Sequence, residues 1–135
     1  MLTITDKISL ETKTDDKLVF YTRYLVQLNF TFDLYVVFGK KKGSSHFCVR
    51  IDQIQDLCKD LEKMNSNQLR ETEILDNDSD AFVNFQIAEK GILLINGQLG
   101  VTHEEDFFNF KFKADQTSIP QFVASFNQIL QHQDK

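Results

Sequence analysis

The last quarter of the chain changes from a strand-like to a helix-like spacing of apolar residues. Phe108, Phe110 and Phe112 alternate with polar residues, which is typical of a strand with one buried and one solvated face. After this strand the apolar residues recur every three to four positions, as on one face of a helix. We therefore predict a strand over about 106–114 and a helix over about 118–131.

An earlier apolar run, from Leu18 to Phe38, also alternates, and Arg23 and Asp33 interrupt it at positions that rule out a membrane-spanning helix. Fully extended, these residues would reach about 70 Å, whereas a domain of this length spans roughly 35–40 Å. The run must therefore bend or turn. No Gly or Pro marks the place, and we expect the break between Asn29 and Asp33.

The same pattern predicts the order ββββαββββα for the whole chain. The 135 residues suffice for one domain, and the short polar breaks favour antiparallel neighbours. We expect an α+β fold in which a curved antiparallel sheet of about seven or eight strands packs two helices against one face. The predicted strands cover about 2–12, 17–29, 32–39, 45–51, 69–76, 81–88, 91–102 and 106–114, and the helices about 52–65 and 118–131.

The two predicted strand-to-helix junctions resemble each other. Residues 49–53 read Val-Arg-Ile-Asp-Gln, and residues 112–116 read Phe-Lys-Ala-Asp-Gln. One explanation is an internal duplication. The other is that such a string suits any strand that ends at a helix cap, with Asp52 as the expected cap of the first helix.

Composition predicts how the core is built. The chain has 13 Phe, no Trp and only one Pro, so large rings at alternating strand positions should supply most of the buried apolar surface. The start of the sequence lacks the charged and apolar regions of a secretion signal. We therefore expect a cytoplasmic protein in which Cys48 and Cys58 are reduced thiols, with no membrane association.

Charge favours a protein partner over nucleic acid. The net charge of −5 and pI near 5.1 repel phosphate backbones, and the basic run Lys40, Lys41 and Lys42 has no aromatic residues beside it to stack on bases. The acidic residues cluster in two segments that could form one negative surface, here called the acidic face: Glu71, Glu73, Asp76, Asp78, Asp80, Glu104, Glu105 and Asp106. Such a surface is either a solvated rim or a docking site for a basic protein.

Metal and catalytic motifs are weak. Asp76, Asp78 and Asp80 imitate the first ligands of a calcium loop, but Ala81 and Ile87 stand where that loop needs Gly and Glu. We expect neither a metal nor another cofactor.

A histidine next to carboxylates leaves one enzymatic alternative open. His103 precedes Glu104 in one turn, yet adjacent residues seldom converge on one point, and His46 and His132 are distant in sequence. An enzyme would require two of His103, Glu104, Asp106 and Asp78 to meet in a pocket, and we predict no catalytic residues.

The C-terminal part of the chain also carries a resemblance to a known family. The stretch Gly91 to Leu99, the acidic turn, the alternating strand that runs into Asp115-Gln116-Thr117, and the closing helix resemble small immunity proteins of bacterial polymorphic toxin systems, of the wall-associated-protein immunity type. The similarity covers roughly the last 90 residues, and the Leu-rich first helix from Ile54 to Met64 matches as well.

The resemblance implies a cytoplasmic protein that binds a cognate toxin domain, such as a nuclease, and neutralises it without catalysis. The acidic face would then be the toxin-binding surface of a monomer or weak homodimer. Two alternatives remain open from the sequence: a small metal-dependent or hydrolytic enzyme that uses the acidic turns, and a homo-oligomeric adaptor domain that pairs through an edge strand.

Overall fold

A computed structural model describes residues 2–3, 7–12, 14–26, 28–100 and 108–131 of the chain. These residues form nine strands and two α-helices, in the order β1 Leu2–Thr3, β2 Lys7–Glu11, β3 Lys17–Val26, β4 Asn29–Phe38, β5 Lys41–Arg50, α1 Ile51–Asn65, β6 Glu71–Leu75, β7 Phe82–Ile87, β8 Ile92–Leu99, β9 Phe108–Asp115 and α2 Ile119–Gln131.

The eight longer strands form two antiparallel sheets of four. Strands β2 to β5 are neighbours in chain order in the first sheet, where the two-residue β1 also pairs with β3, and β6 to β9 are neighbours in the second. The α+β class and the order ββββαββββα are confirmed. The eight strands are divided between two sheets of four, whereas we expected one curved sheet. The alternation of apolar and polar residues reveals which face of a strand is buried, but it does not reveal which strands pair.

The long apolar run turns a few residues earlier than predicted. Val26 pairs with Asn29, so the chain reverses direction between these two residues, and the predicted break between Asn29 and Asp33 is wrong in position. The Leu28 side chain is 63% exposed, and its carbonyl oxygen accepts a hydrogen bond of 2.8 Å from the backbone N–H of Ile51. An apolar residue in a turn gives no sequence signal, which explains the error.

The next hairpin also turns earlier than the break predicted between the strands at 32–39 and 45–51. Phe38 pairs with Lys41, and the turn is Gly39-Lys40, where Gly39 has φ of 60°. Glycine adopts this left-handed conformation at no steric cost. Lys41 and Lys42 therefore belong to β5.

The predicted phenylalanine-rich core is confirmed. The Phe20 ring lies 4.9 Å from that of Phe32 on the neighbouring strand and 5.2 Å from that of Phe126 on α2. Phe122 connects the same group to Phe85 of the second sheet, with ring centroids 6.0 Å apart. Both sheets and both helices thus contribute to one core, and its largest fully buried rings are Phe20, Phe30, Phe32, Phe47, Phe85, Phe122 and Phe126.

Gly97 makes a close approach within the second sheet. A Cβ atom at this position would lie 2.2 Å from the carbonyl oxygen of Phe82 and 2.7 Å from the ring of Phe110. The Phe110 ring therefore occupies the space that a side chain would need. Such a close approach is one reason for a glycine inside a strand.

The two halves share the order ββββα, which supports the duplication hypothesis. The matching glutamines at the two junctions both contact the other half. The Gln53 amide binds Asn77 in the β6–β7 turn, with 2.9 Å between Nδ2 of Asn77 and Oε1 of Gln53, and the Gln116 amide donates to the carbonyl of Asn65 at the end of α1 at 3.2 Å. The expected cap Asp52 is wrong, since Arg50 is the N-cap of α1.

Candidate functional site

The acidic face begins on β6, at an edge of the second sheet. Glu71 and Glu73 are exposed and point to the same side of the strand because side chains alternate along it. The carboxylate of Glu71 accepts a hydrogen bond of 3.1 Å from the amide of Asn84 on β7, and that amide oxygen accepts one of 3.3 Å from Asn96 on β8. A polar ladder thus extends from Glu71 across the outer side of the sheet.

Asp76, at the start of the β6–β7 turn, has an internal role. It is only 6% exposed, and its carboxylate accepts hydrogen bonds from the N–H of Cys48 at 2.9 Å, the N–H of Asp78 at 3.2 Å and the hydroxyl of Ser79 at 2.5 Å. Each carboxylate oxygen therefore has a donor within the protein. The sequence cannot show this role, because Cys48 lies 28 residues away from Asp76.

This turn also closes part of an open sheet edge. Among the described strands, β5 pairs with β4 alone. On its other side the Cys48 carbonyl accepts a hydrogen bond of 3.1 Å from the N–H of Asn77, and the Cys48 N–H donates to the Asp76 carboxylate. Two residues of the turn thus take the place of a neighbouring strand. Edge strands with unpaired backbone groups attract other chains, and capping them suppresses that tendency.

Helix α1 holds the turn from a second direction. Oε1 of Gln53 accepts from the backbone N–H of Arg50 at 2.8 Å as well as from Asn77, and the Gln53 amide donates to the carbonyl of Leu75 at 3.5 Å. The turn is therefore fixed against both β5 and α1. The exposed side chains of Asp78 and Asp80 are displayed from this fixed backbone.

The second acidic segment, Glu104, Glu105 and Asp106, lies outside the described residues. The strands that flank it in the sequence, β8 and β9, are described. Leu75 pairs with Phe82 and Phe82 with Gln98, so the β6–β7 turn leaves the sheet at the end where β8 finishes. β9 starts at that end too, since Leu99 pairs with Phe108.

Acidic surroundings and burial affect both thiols. Burial, then the negative charges of Asp78 and Asp76, raise the pKa of Cys48 above its usual value. Burial, with a smaller contribution from Glu62, raises the pKa of Cys58 to about 12. Both cysteines are free thiols, and protonated thiols are poor nucleophiles at neutral pH.

Most residues of the enzymatic alternative lie outside the described part of the chain. These are His103, Glu104 and Asp106, and the distant His132 lies outside it as well. Among the described residues, no group of three or more His, Cys, Asp or Glu side chains could hold a metal ion. Sequence reasoning missed one histidine–carboxylate pair, in which Nδ1 of His46 lies 2.9 Å from Oδ1 of Asp33. The two residues face each other on neighbouring strands, and only an alternating-strand register could have suggested it.

Two of the clefts among the described residues contain no residue of the acidic face. A cleft of about 530 Å³ lies at the opposite end of the second sheet, lined by Asn67, Leu69, Arg70, Ile87, Ala88, Glu89, Gly91 and Gln116. A cleft of about 360 Å³ lies on the first sheet, lined by Glu11, Thr12, Asp15, Asp16, Lys17, Tyr35, Val37 and Lys42. These two clefts therefore give no support to an enzymatic use of the acidic face.

None of the described helices has the length and apolar character needed to cross a membrane.

Comparison with known proteins assigns the family. Residues 23–133 match the model of the Immunity protein WapI-like family, so the chain belongs to this family of immunity proteins. The match includes α1, the whole second sheet and the acidic face. The resemblance that the C-terminal residues suggested is therefore confirmed, and a cognate toxin is the partner that the family implies.

The comparisons with curated proteins and with solved structures give no further functional information. Comparison with curated proteins found no match. Among solved structures, the chain is similar to one in the crystal structures of Trypanosoma bruciei MRP1/MRP2, with 10% sequence identity, a TM-score of 0.46, and coverage of 96% of this chain and 99% of that chain. No functional conclusion follows from a similarity at this level.

Proposed function

We propose that this immunity protein neutralises a cognate toxin domain by binding it through the acidic face, in the cytoplasm and without a reaction of its own. The toxin domain carries a basic surface, as the nucleic-acid-binding cleft of a nuclease does. Occupation of that surface by the immunity protein blocks the substrate of the toxin.

The observation that supports this proposal is the anchored β6–β7 turn. The buried carboxylate of Asp76 binds β5, and Gln53 of α1 binds Asn77, so the backbone that carries Asp78 and Asp80 has partners on two sides. A preformed surface binds with a smaller loss of conformational entropy than a mobile one. Within the acidic face, Asp76 is then a positioning residue, and Glu73, Asp78 and Asp80 are the contact residues.

Electrostatic steering supplies the second physical argument. Carboxylates grouped at one end of a sheet attract a basic partner during diffusion and raise the association rate, more strongly at low ionic strength. We further propose that Glu104, Glu105 and Asp106 contribute to the same surface, because the strands on either side of them end where the β6–β7 turn emerges.

Co-expression with a toxin tests the proposal. The toxin domain encoded next to this protein is expressed alone and together with it, and growth and complex formation are measured. We expect rescue of growth and a stable complex with the purified domain. Toxicity that persists at excess immunity protein, with no complex, would rule out neutralisation by binding.

Charge reversal then tests which surface is used. Asp78→Lys combined with Asp80→Lys should slow association with the toxin at least tenfold at low salt, because attraction becomes repulsion at the contact. Glu62→Lys combined with Asp56→Lys, on exposed positions of α1, changes the net charge equally and serves as the control. Equal association rates for the two double variants would refute the acidic face while leaving family membership intact.

A further inference from the structure

On the outer side of the second sheet, two rows of paired residues carry opposite charges at their two ends, and Asp115 follows the lysines on β9 outside both rows. The residues that pair across its four strands form two rows that begin with an acid on β6 and end with a lysine on β9. The rows are Glu73, Asn84, Asn96, Lys111 and Glu71, Gln86, Leu94, Lys113.

This side of the sheet is open. Glu71, Glu73, Lys111 and Lys113 are all exposed, and the other side of the sheet faces the core. The middle of the first row is polar and satisfied, since Asn96 donates to the Asn84 amide oxygen and Asn84 donates to Glu71. The middle of the second row consists of Gln86 and Leu94. The surface therefore offers charges at both edges and few unpaired polar groups between them.

We propose that two copies of this chain associate face to face through this surface, about a two-fold axis parallel to the strands. Such an axis exchanges the two edges of the sheet. Glu73 of one copy then faces Lys111 of the second copy, Glu71 faces Lys113, and each contact occurs twice. The pattern is thus complementary to itself.

The orientation of the axis follows from the charges. An axis perpendicular to the strands would place β6 on β6 and β9 on β9, so that acids face acids and lysines face lysines. Aligned packing of twisted sheets keeps the strand directions within about 30°, which an axis close to the strand direction satisfies. Facing sheets lie about 10 Å apart, within reach of paired Glu and Lys side chains.

The size of the surface sets the strength of the association. Four strands at a spacing of about 4.8 Å and five residues at a rise of about 3.4 Å give roughly 300 Å² for each copy. The total of roughly 600 Å² is below the range of about 1,200–2,000 Å² for stable interfaces. We therefore infer a reversible dimer that populates at high micromolar to millimolar concentration.

Sedimentation velocity between about 10 µM and 1 mM, at low salt and without toxin, tests this proposal. The wild-type protein should show an average sedimentation coefficient that rises with concentration. Glu71→Lys with Glu73→Lys, and separately Lys111→Glu with Lys113→Glu, should each weaken the dimer at least tenfold. The variant with all four substitutions has lysines on β6 and glutamates on β9. Each row then again has opposite charges at its two ends, so dimerisation should return.

The control is Glu62→Lys with Asp78→Lys, which changes the net charge as much as the β6 double variant does but lies off the rows. It should dimerise like the wild type, and circular dichroism confirms that each variant is folded. A wild-type protein that remains monomeric at 1 mM would overturn the proposal, as would a fourfold variant that stays monomeric while the wild type dimerises. The result is independent of toxin binding, which this experiment does not involve.

Discussion

Removal of the Asp76 carboxylate should destabilise the fold far more than removal of any neighbouring acid. Asp76→Ala leaves the N–H of Cys48 and the hydroxyl of Ser79 without their acceptor, and these had the short distances of 2.9 and 2.5 Å. A hydrogen bond to a charged group contributes about 1.5–3 kcal/mol. The Ser79 hydroxyl and the more weakly bound Asp78 N–H can form hydrogen bonds with water instead. We therefore expect the free energy of unfolding to fall by about 2–4 kcal/mol.

Urea unfolding measures this loss of stability, and two further variants serve as comparisons. Asp76→Asn retains an oxygen for the Cys48 N–H, so it should cost only about 1 kcal/mol. Asp78→Asn, at an exposed carboxylate in the same turn, should change the free energy of unfolding by less than about 0.5 kcal/mol. Amide hydrogen exchange at Cys48 should accelerate in Asp76→Ala before global unfolding. The reasoning is refuted if Asp76→Ala and Asp78→Asn unfold at the same urea concentration.

Three other outcomes are expected. Gly97→Ala should destabilise by about 3 kcal/mol in urea, and Phe110→Leu should not rescue it, because the nearest obstacle is the backbone oxygen of Phe82. Phe126→Ala should lower the free energy of unfolding by about 3–5 kcal/mol, whereas the exposed Leu28→Ala should change it little. Folding raises the pKa of Cys58 from 9.0 to about 12, so on raising the pH the thiol of the unfolded chain loses its proton first. The free energy of unfolding should therefore fall between pH 9 and pH 12 by about 1.4 kcal/mol per pH unit. Below pH 9 this thiol contributes no pH dependence, and Cys58→Ala should have a shallower alkaline slope than the wild type, to which Cys48 still contributes.

Much of the fold could be predicted from local patterns. Alternation located the strands and helical spacing located α1 and α2, because each pattern reports the face that an element buries. The turn at Leu28 was not predicted, because it contains no Gly or Pro. The division into two sheets was not predicted either, because it depends on which strands pair with each other. A one-dimensional pattern contains no direct information about either.

The candidate site could be predicted only in part. Grouping of acids along the chain correctly located exposed carboxylates at Glu71, Glu73, Asp78 and Asp80. It could not separate these from Asp76, whose carboxylate is buried because the fold brings β5 against the β6–β7 turn. Charge is visible in a sequence, but burial depends on tertiary contacts. The role of each acid therefore required the structure.

The central claim is that the acidic face contacts the toxin, and the rate of association measures this most directly. Stopped-flow mixing of the purified toxin domain with the wild type and with Asp78→Lys/Asp80→Lys, over a range of salt concentrations, gives that rate. We predict a wild-type rate that falls steeply with salt and a variant rate at least tenfold lower at low salt, with the two converging at high salt. Identical rates and identical salt dependence for the two proteins would contradict the claim.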